Sequence, residues 1–418
     1  MITKCAVCLL GSSSPVIVMS ESRSVSKFVD LVLLLVCVLV ITCFTFLLRL
    51  TREFSEEESQ RKTSYITSHV SPQLFKDLRY QTAESKDYSV FNYVIIVHAS
   101  TDITAFKFVL QSLLQVDRIK DVFLIFVHDE IDESVLEDIS LLPLHNKANL
   151  FFEHSIYIYP DKFPSFTPSD CTWDMSKEQG EAVRCPNHEW TDVKGEYRRP
   201  WLSHGRHLWW WMMNTVFERL NETNDFWGPV ILLERHQMVS RKVLDVLDRL
   251  VPFTNRHCKD CLITLGNSRS HDNRKLPYMR SVNILPFAAE DGHIGFVFNR
   301  KLWRRIKRYT NQFCEFDDHH WSRGLQYVLN HWVKTSSSEI SIGFPNVYSF
   351  QKCKRNDSLC SGDQIKTYYE NLDNRLNVDV VHNMLLGIVS KSPVKSKMRE
   401  GGGWRDIRDQ TLCRLMAK

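Results

Sequence analysis

The sequence predicts an α/β protein, with a mostly parallel sheet covered by helices and preceded by a transmembrane helix and a polar stem. From residue 89 onward, short unbroken apolar runs alternate with longer amphipathic stretches. Strands buried on both faces read as continuous apolar runs, and helices between them supply the cover. Ahead of them, residues 31–48 (LVLLLVCVLVITCFTFLL) form a run of 18 residues without a charge. Between the two, residues 51–88 are polar and aperiodic.

Composition bounds the function. The chain has 418 residues, 43% hydrophobic, 24% charged and 11% aromatic, which excludes a wholly disordered, collagenous or coiled-coil protein. Only 15 Gly and 14 Pro argue against long flexible linkers. A formal charge of +4 is too small for a chain of this length to imply a nucleic-acid partner.

The apolar run, with Phe28 and Val29 before it, matches the roughly 20 residues a helix needs to span hydrocarbon. A buried core helix rarely lacks polar residues on every side. A cleavable signal is disfavoured, because 27 residues precede the run and no small-residue cleavage site follows. Lys4, Arg23 and Lys27 make the N-terminal flank basic against Glu56, Glu57 and Glu58 beyond, so the N-terminus is expected in the cytosol. The expected organisation is a cytosolic tail (1–27), a signal anchor (28–48), a stem (49–88) and a lumenal head (89–418).

Within the head, 93–98 (YVIIVH) reads as a buried strand and 105–114 as the next helix. Residues 122–128 (VFLIFVH) give a second strand and 150–159 a third. A helix is expected over 209–220, a strand over 229–234 (PVILLE) and a helix through Leu250. Strands over 261–266 and 294–298 and a helix around 301–309 complete the alternation. In such sheets ligands bind beyond the carboxyl ends of the strands. That places His98, His128-Asp129 and Glu234-Arg235-His236 at the candidate site. There is no internal repeat, GxGxxG or Walker loop, which disfavours a dinucleotide or ATP site.

Of twelve cysteines, eight follow the apolar run: Cys171, Cys185, Cys258, Cys261, Cys314, Cys353, Cys360 and Cys413. An even number on the lumenal side suggests disulfides in an oxidising compartment. Cys258 and Cys261 form a CxxC with no second one after the apolar run, more readily a bridge than a zinc half-site. Sequons at Asn221 and Asn356 fall in the same region.

An anchored lumenal α/β head with a carboxylate at a strand end points to nucleotide-sugar transfer. That reaction needs positive charge against the departing diphosphate and a carboxylate to take the acceptor proton. Several stretches match one family. Gly401–Cys413 (GGGWRDIRDQTLC) is similar to GGWGDIRDHELC; His207–Trp211 (HLWWW) is similar to HHWWW. Ser155–Pro160 (SIYIYP), Phe313–Trp321 (FCEFDDHHW) and Val127–Asp129 (VHD) match SIQLYP, FCTYDDYNW and SHD. The chain thereby resembles the N-acetylglucosaminyltransferase II family, as a divergent member, from about residue 89 to its C-terminus.

The resemblance implies a GT-A-like fold and transfer of GlcNAc from UDP-GlcNAc to the alpha-1,6-arm mannose of N-glycans, beta-1,2-linked and with inversion. It implies a type II protein of the Golgi membrane, with Mn²⁺, an N-glycan acceptor, and a second copy or other Golgi glycosyltransferases as partners. It also implies the pairs Cys171–Cys185, Cys258–Cys261, Cys314–Cys413 and Cys353–Cys360. Tyr309 and Trp332 stand where a fifth family bridge would be.

At the site the chain departs from the family pattern. The metal motif EED is Glu234-Arg235-His236 here, so His236 stands at the carboxylate expected to hold Mn²⁺. Ser349 stands at a second metal ligand, a His, and Ser322 at the catalytic Asp. VHNR becomes Val97-His98-Ala99-Ser100, without its Arg. Neutral imidazole at His236 can ligate Mn²⁺, although hard cations held with phosphates prefer carboxylate oxygen. Arg235 can itself offset diphosphate charge. Asp318 is a candidate substitute base, and Asp129 a candidate acceptor for the uracil imide N–H. Asp317–His320 reads equally as a solvated helix start, the three tryptophans as core packing, and His98 and His128 as strand caps. The alternative function is a catalytically inactive homologue that binds glycans or acts as a scaffold.

Overall fold

The computed structural model describes Thr42 and residues 80–82, 90–258, 261–267, 281–331, 339–342, 346–349, 385–386 and 398–418. The expected anchor over 28–48 lies outside the described residues except at Thr42. Most of the stem, Asn356 and the pair Cys353–Cys360 lie outside them too. Among the described residues no helix is long and apolar enough to cross a membrane. Thr42 apart, all of them fall in one unit, Val70–Lys418.

The main sheet has ten strands in the order β1-β4-β3-β2-β5-β9-β7-β10-β8-β12. They are β1 (Tyr80–Thr82), β2 (Tyr93–His98), β3 (Val122–His128), β4 (Lys147–Phe151), β5 (Val230–Leu233), β7 (Leu262–Asn267), β8 (Ser281–Leu285), β9 (His293–Phe298), β10 (Glu339–Ile342) and β12 (Leu385–Leu386). A separate ribbon joins β6 (Gln237–Val239) to β11 (Val347–Ser349). The block β4-β3-β2-β5 is parallel throughout. Strand β9 then enters antiparallel between β5 and β7. Strand β1 lies within the stretch expected as stem, adding antiparallel to β4; three residues without an apolar run give no strand signal in the sequence.

Successive residues of a strand face opposite sides of the sheet. Ile95 and Val97 of β2 pack with α1 (Ile103–Leu114), α2 (Glu133–Ser140) and α5 (Val243–His257), through Phe106, Val109, Val135, Leu244 and Leu247. Val94 and Ile96 point the other way, into a cluster with Trp209, Trp210, Trp211, Trp303, Leu325 and Leu412. That cluster is built on α4 (Pro200–Asn214), α6 (Arg300–Lys307), α7 (Thr310–Glu315), α8 (Trp321–His331) and α9 (Ile407–Met416). The tryptophan triplet is therefore core. Asp102 and Asp132 cap α1 and α2, accepting from the backbone N–H groups of Ala105 and Val135, both at 3.1 Å.

Two expected elements have different bounds. The strand expected over 150–159 is β4 at Lys147–Phe151. Beyond it the buried Ser155 hydroxyl accepts from the N–H groups of Tyr157 (3.0 Å) and Ile158 (3.2 Å), and donates to the Asp129 carbonyl. These bonds turn the chain. The helix expected over 209–220 starts at Pro200, which tolerates the first helical position. It passes after Asn214 into a wider turn over Thr215–Arg219.

Asp317–His320 is not a solvated helix start: Asp317 and Asp318 are buried. The Asp317 carboxylate accepts from the backbone of Val193 and Trp404, both at 2.9 Å. Asp318 bonds Arg323 and His320. The disulfides Cys171–Cys185, Cys258–Cys261 and Cys314–Cys413 are formed.

Candidate active site

Three neighbouring parallel strands, β3, β2 and β5, end on the same edge of the sheet. Their termini bring His98, Asp129 and Glu234–His236 together. Asp129 is almost wholly buried. His98 Nε2 lies 3.1 Å from its Oδ1, and His204 Nδ1 of α4 lies 3.9 Å from Oδ2. The Arg235 guanidinium donates to Asp129 through Nη2, approaches Glu130 at 3.5 Å, and has Nε 3.1 Å from His98 Nε2. Burial pushes the Asp129 carboxyl up, but His98, Arg235 and His204 around it win and hold it well below the usual range. Burial also opposes charge on Arg235, and Asp129 and Glu130 more than offset it. Arg235 is therefore a permanent cation.

Glu234 is held by two residues. Trp321 Nε1 of α8 donates to Oε1 at 3.0 Å, and Gln237 Nε2 approaches Oε2 at 3.4 Å. Its own N–H donates to Gln237 Oε1 at 3.2 Å. Burial raises the Glu234 carboxyl, with the Trp321 bond opposing. Trp321 stacks on Trp209 with centroids 4.7 Å apart and planes 7° from parallel. Core packing thus fixes the first turn of α8, which carries the half-buried Ser322.

His236 closes the turn from β5 to β6 at φ 61°, a left-handed conformation that Asn and Asp adopt more readily than most residues. Burial pushes its imidazole down. Ser349 pairs in register with Gln237, so β11 runs beside the residue following His236. The structure thereby places residues 236, 322 and 349 on elements that meet around Glu234.

A divalent cation held here with a diphosphate would draw its ligands from these side chains. His236 and Ser349 offer neutral donors. Glu234 is engaged by Trp321 and Gln237, and the carboxylates of Asp129 and Glu130 face Arg235. A hard cation held with phosphates prefers carboxylate oxygen and would meet the Arg235 guanidinium here instead, so the residues do not fit Mn²⁺. A second grouping, Asp318, His319 and His320, has ligand atoms within 4.8 Å of one another. There Asp318 is bonded to Arg323, and His319 Nδ1 lies 3.2 Å from the Gly402 carbonyl, so the group braces the C-terminal loop.

Of the other sequence candidates, His128 is apart from the site. Its Nε2 lies 2.9 Å from Asn149 Oδ1, its ring stacks on Phe151, and burial pushes it down to about 4. Asp318 sits in the turn before α8 and is held below its usual range, where His320 and Arg323 outweigh burial. Asn221 is exposed at the start of a short 3-10 turn. His204, Gln237 and Trp321 were missed as site residues. His204 had one signal, its place three residues before His207 on the same helix face.

A family model described as N-acetylglucosaminyltransferase II (MGAT2) matches residues 70–413. A Sus scrofa protein named alpha-1,6-mannosyl-glycoprotein 2-beta-N-acetylglucosaminyltransferase is 26% identical over 324 residues, 77% of this chain and 72% of that one. The Homo sapiens protein of the same name is 25% identical over 324 residues, with the same coverage of 77% and 72%. The Arabidopsis thaliana one is 27% identical over 358 residues, covering 83% of this chain and 78% of its own.

Proposed function

Because the chain belongs to the N-acetylglucosaminyltransferase II family, we propose that it transfers GlcNAc from UDP-GlcNAc to the alpha-1,6-arm mannose of N-glycans, as a GT-A-like enzyme of the Golgi membrane. The observation that carries this reading is the convergence of Asp129, Arg235 and Glu234 on one sheet edge, with α8 docked on Glu234 through Trp321. In a beta-1,2 transfer with inversion, the bond from the sugar C1 to the β-phosphate oxygen breaks and its electron pair stays on UDP. The acceptor mannose O2 forms the new bond to C1, and its proton passes to a base. Ser322 is no base unaided at neutral pH.

The protein's carboxyls differ in fitness for that role. Asp129 is held well below the usual range by His98, Arg235 and His204, and Asp318 below it by His320 and Arg323, which makes them weaker bases. Glu234 is raised by burial, and a general base works best with its pKa near the working pH. We assign the proton to Glu234, uridine recognition to Asp129 and His98, and diphosphate contact to Arg235.

The test uses the full-length chain in detergent, UDP-GlcNAc, and an N-glycan with a free alpha-1,6-arm mannose, assayed in Mn²⁺ and in EDTA. Addition of one N-acetylhexosamine in beta-1,2 linkage is the expected product in at least one condition. Absence of product in both, from folded protein that still binds the glycan, would leave the scaffold reading in its place.

A further inference from the structure

We propose that Arg235 supplies the positive charge that offsets the donor diphosphate, so that donor binding needs no divalent cation, and that without donor the guanidinium is parked on Asp129. The inference rests on the nucleotide-sugar reading above and deepens it.

Position is the first argument. Arg235 stands in the turn after β5, beside the end of β2, and its side chain contacts His98 at the end of β2 and Asp129 and Glu130 after β3. Its side chain keeps 29% of its accessible surface, so the residue is not sealed from a ligand.

The neighbouring donors supply the second argument. Residue 236, within the turn, and residue 349, on β11, are a histidine and a serine, neutral donors where a hard cation held with phosphates prefers carboxylate oxygen. A permanent cation beside them disfavours a second one.

Chemistry is the third. A guanidinium presents parallel N–H donors that match two oxygens of a phosphate, and such charge-assisted pairs are about twice as strong as neutral ones. When the sugar C1–oxygen bond breaks, the charge left on the β-phosphate oxygen is met by donors already in place, as electrostatic stabilisation of a leaving group requires.

Exchange of partners is feasible because Asp129 is not abandoned when Arg235 leaves. His98 at 3.1 Å and His204 at 3.9 Å remain beside its carboxylate. The donor then gains the guanidinium for its diphosphate and a vacated carboxylate oxygen for the uracil imide N–H.

The experiment titrates full-length protein with UDP and with uridine by calorimetry, in EDTA and then in Mn²⁺. UDP is expected to bind with affinities within roughly twofold in the two conditions and at least about tenfold tighter than uridine. Arg235→Gln should bring UDP down to the uridine level, and Arg235→Lys should keep part of the preference. Should Arg235→Gln fail to fold, the triple variant Arg235→Glu, His236→Asp, Ser349→His restores the family's metal set and should bind UDP only with Mn²⁺. UDP binding that requires Mn²⁺ in the wild type overturns this inference and leaves the donor reading standing. An unchanged UDP preference in Arg235→Gln also overturns it. Absence of nucleotide binding to folded wild type in either condition overturns both.

Discussion

His128 and His204 are each pushed down to about 4 by burial, from an ordinary value of 6.5. Both are therefore neutral in the folded protein down to that pH, while in the unfolded chain they take up protons from about 6.5 downward. The unfolded state binds more protons across this window, so stability rises with pH between them and is lost as pH falls from 6.5 toward 4. Urea denaturation at a series of pH values should show a loss on the order of 3 kcal/mol per histidine over that range. His128→Gln should flatten the slope by about one histidine's share, and an unaltered slope would remove His128 from the account.

A second residue-scale expectation concerns Glu234. The Trp321 N–H bond favours its charged form, so Trp321→Phe should raise the carboxyl further and move the acid limb of the pH–rate profile to higher pH. If Glu234 is not the base, kcat falls with no change in that limb. Residues 234–236 are legible in the sequence as a candidate because a strand ending in a carboxylate is a site signal. Trp321 is not, because the bond spans 87 residues, a separation no local pattern encodes.

At the scale of elements, the turn before α8 and the glycine loop after residue 400 form one unit. Gly402 donates its N–H to the Asp317 carbonyl at 2.9 Å, and Gly403 donates to Asp192 at 2.7 Å. Gly402 has φ 84°, and an added Cβ would lie 2.3 Å from an Asp192 carboxylate oxygen. Gly402→Ala combines an unfavourable backbone conformation with that collision and should cost about 2–3 kcal/mol. The cost appears as a lower Tm. Activity should fall further than stability, because the loop braces the turn that feeds Trp321 and Ser322 into the site; equal losses would make the loop a fold element only. Elements were legible wherever burial covers both faces, as in β2, β3 and β5. They were not legible at β6, β10 and β11, short strands of three or four residues. The reach of the third strand was overestimated because Ile156, Tyr157 and Ile158 are as apolar as a strand, while a single hydroxyl at Ser155 turns the backbone.

For the molecule as a whole, the C-terminal helix is what closes the helical layer opposite α1, α2 and α5. The Cys314–Cys413 bridge ties α9 to α7 across 99 residues of sequence. Trp210 donates to the Cys413 carbonyl and Trp404 to the Cys314 carbonyl, at 2.9 and 2.8 Å. Fully buried Asp409 accepts from Arg198 Nη2 and lies against His207 Nε2, both at 2.8 Å. Burial would raise Asp409, but Arg198 and His207 hold it well below the usual range.

Two separate removals test whether covalent and ionic fastenings act on the same body. Cys314→Ser with Cys413→Ser releases a loop whose closure is worth about 4–5 kcal/mol by chain entropy. Asp409→Asn leaves Arg198 buried without its charge partner, at a cost of about 3–5 kcal/mol. If α9 docks as a unit, a chain that has already lost one fastening has less docking left for the other to protect. The combined variant should then fall short of the sum by more than about 0.5 kcal/mol, the usual margin for independent sites. Denaturant melts of the full-length wild type and the three variants give that cycle directly. Strict additivity would mean that the bridge and the buried ion pair stabilise different parts of the molecule, and that the tail folds piecemeal against the core.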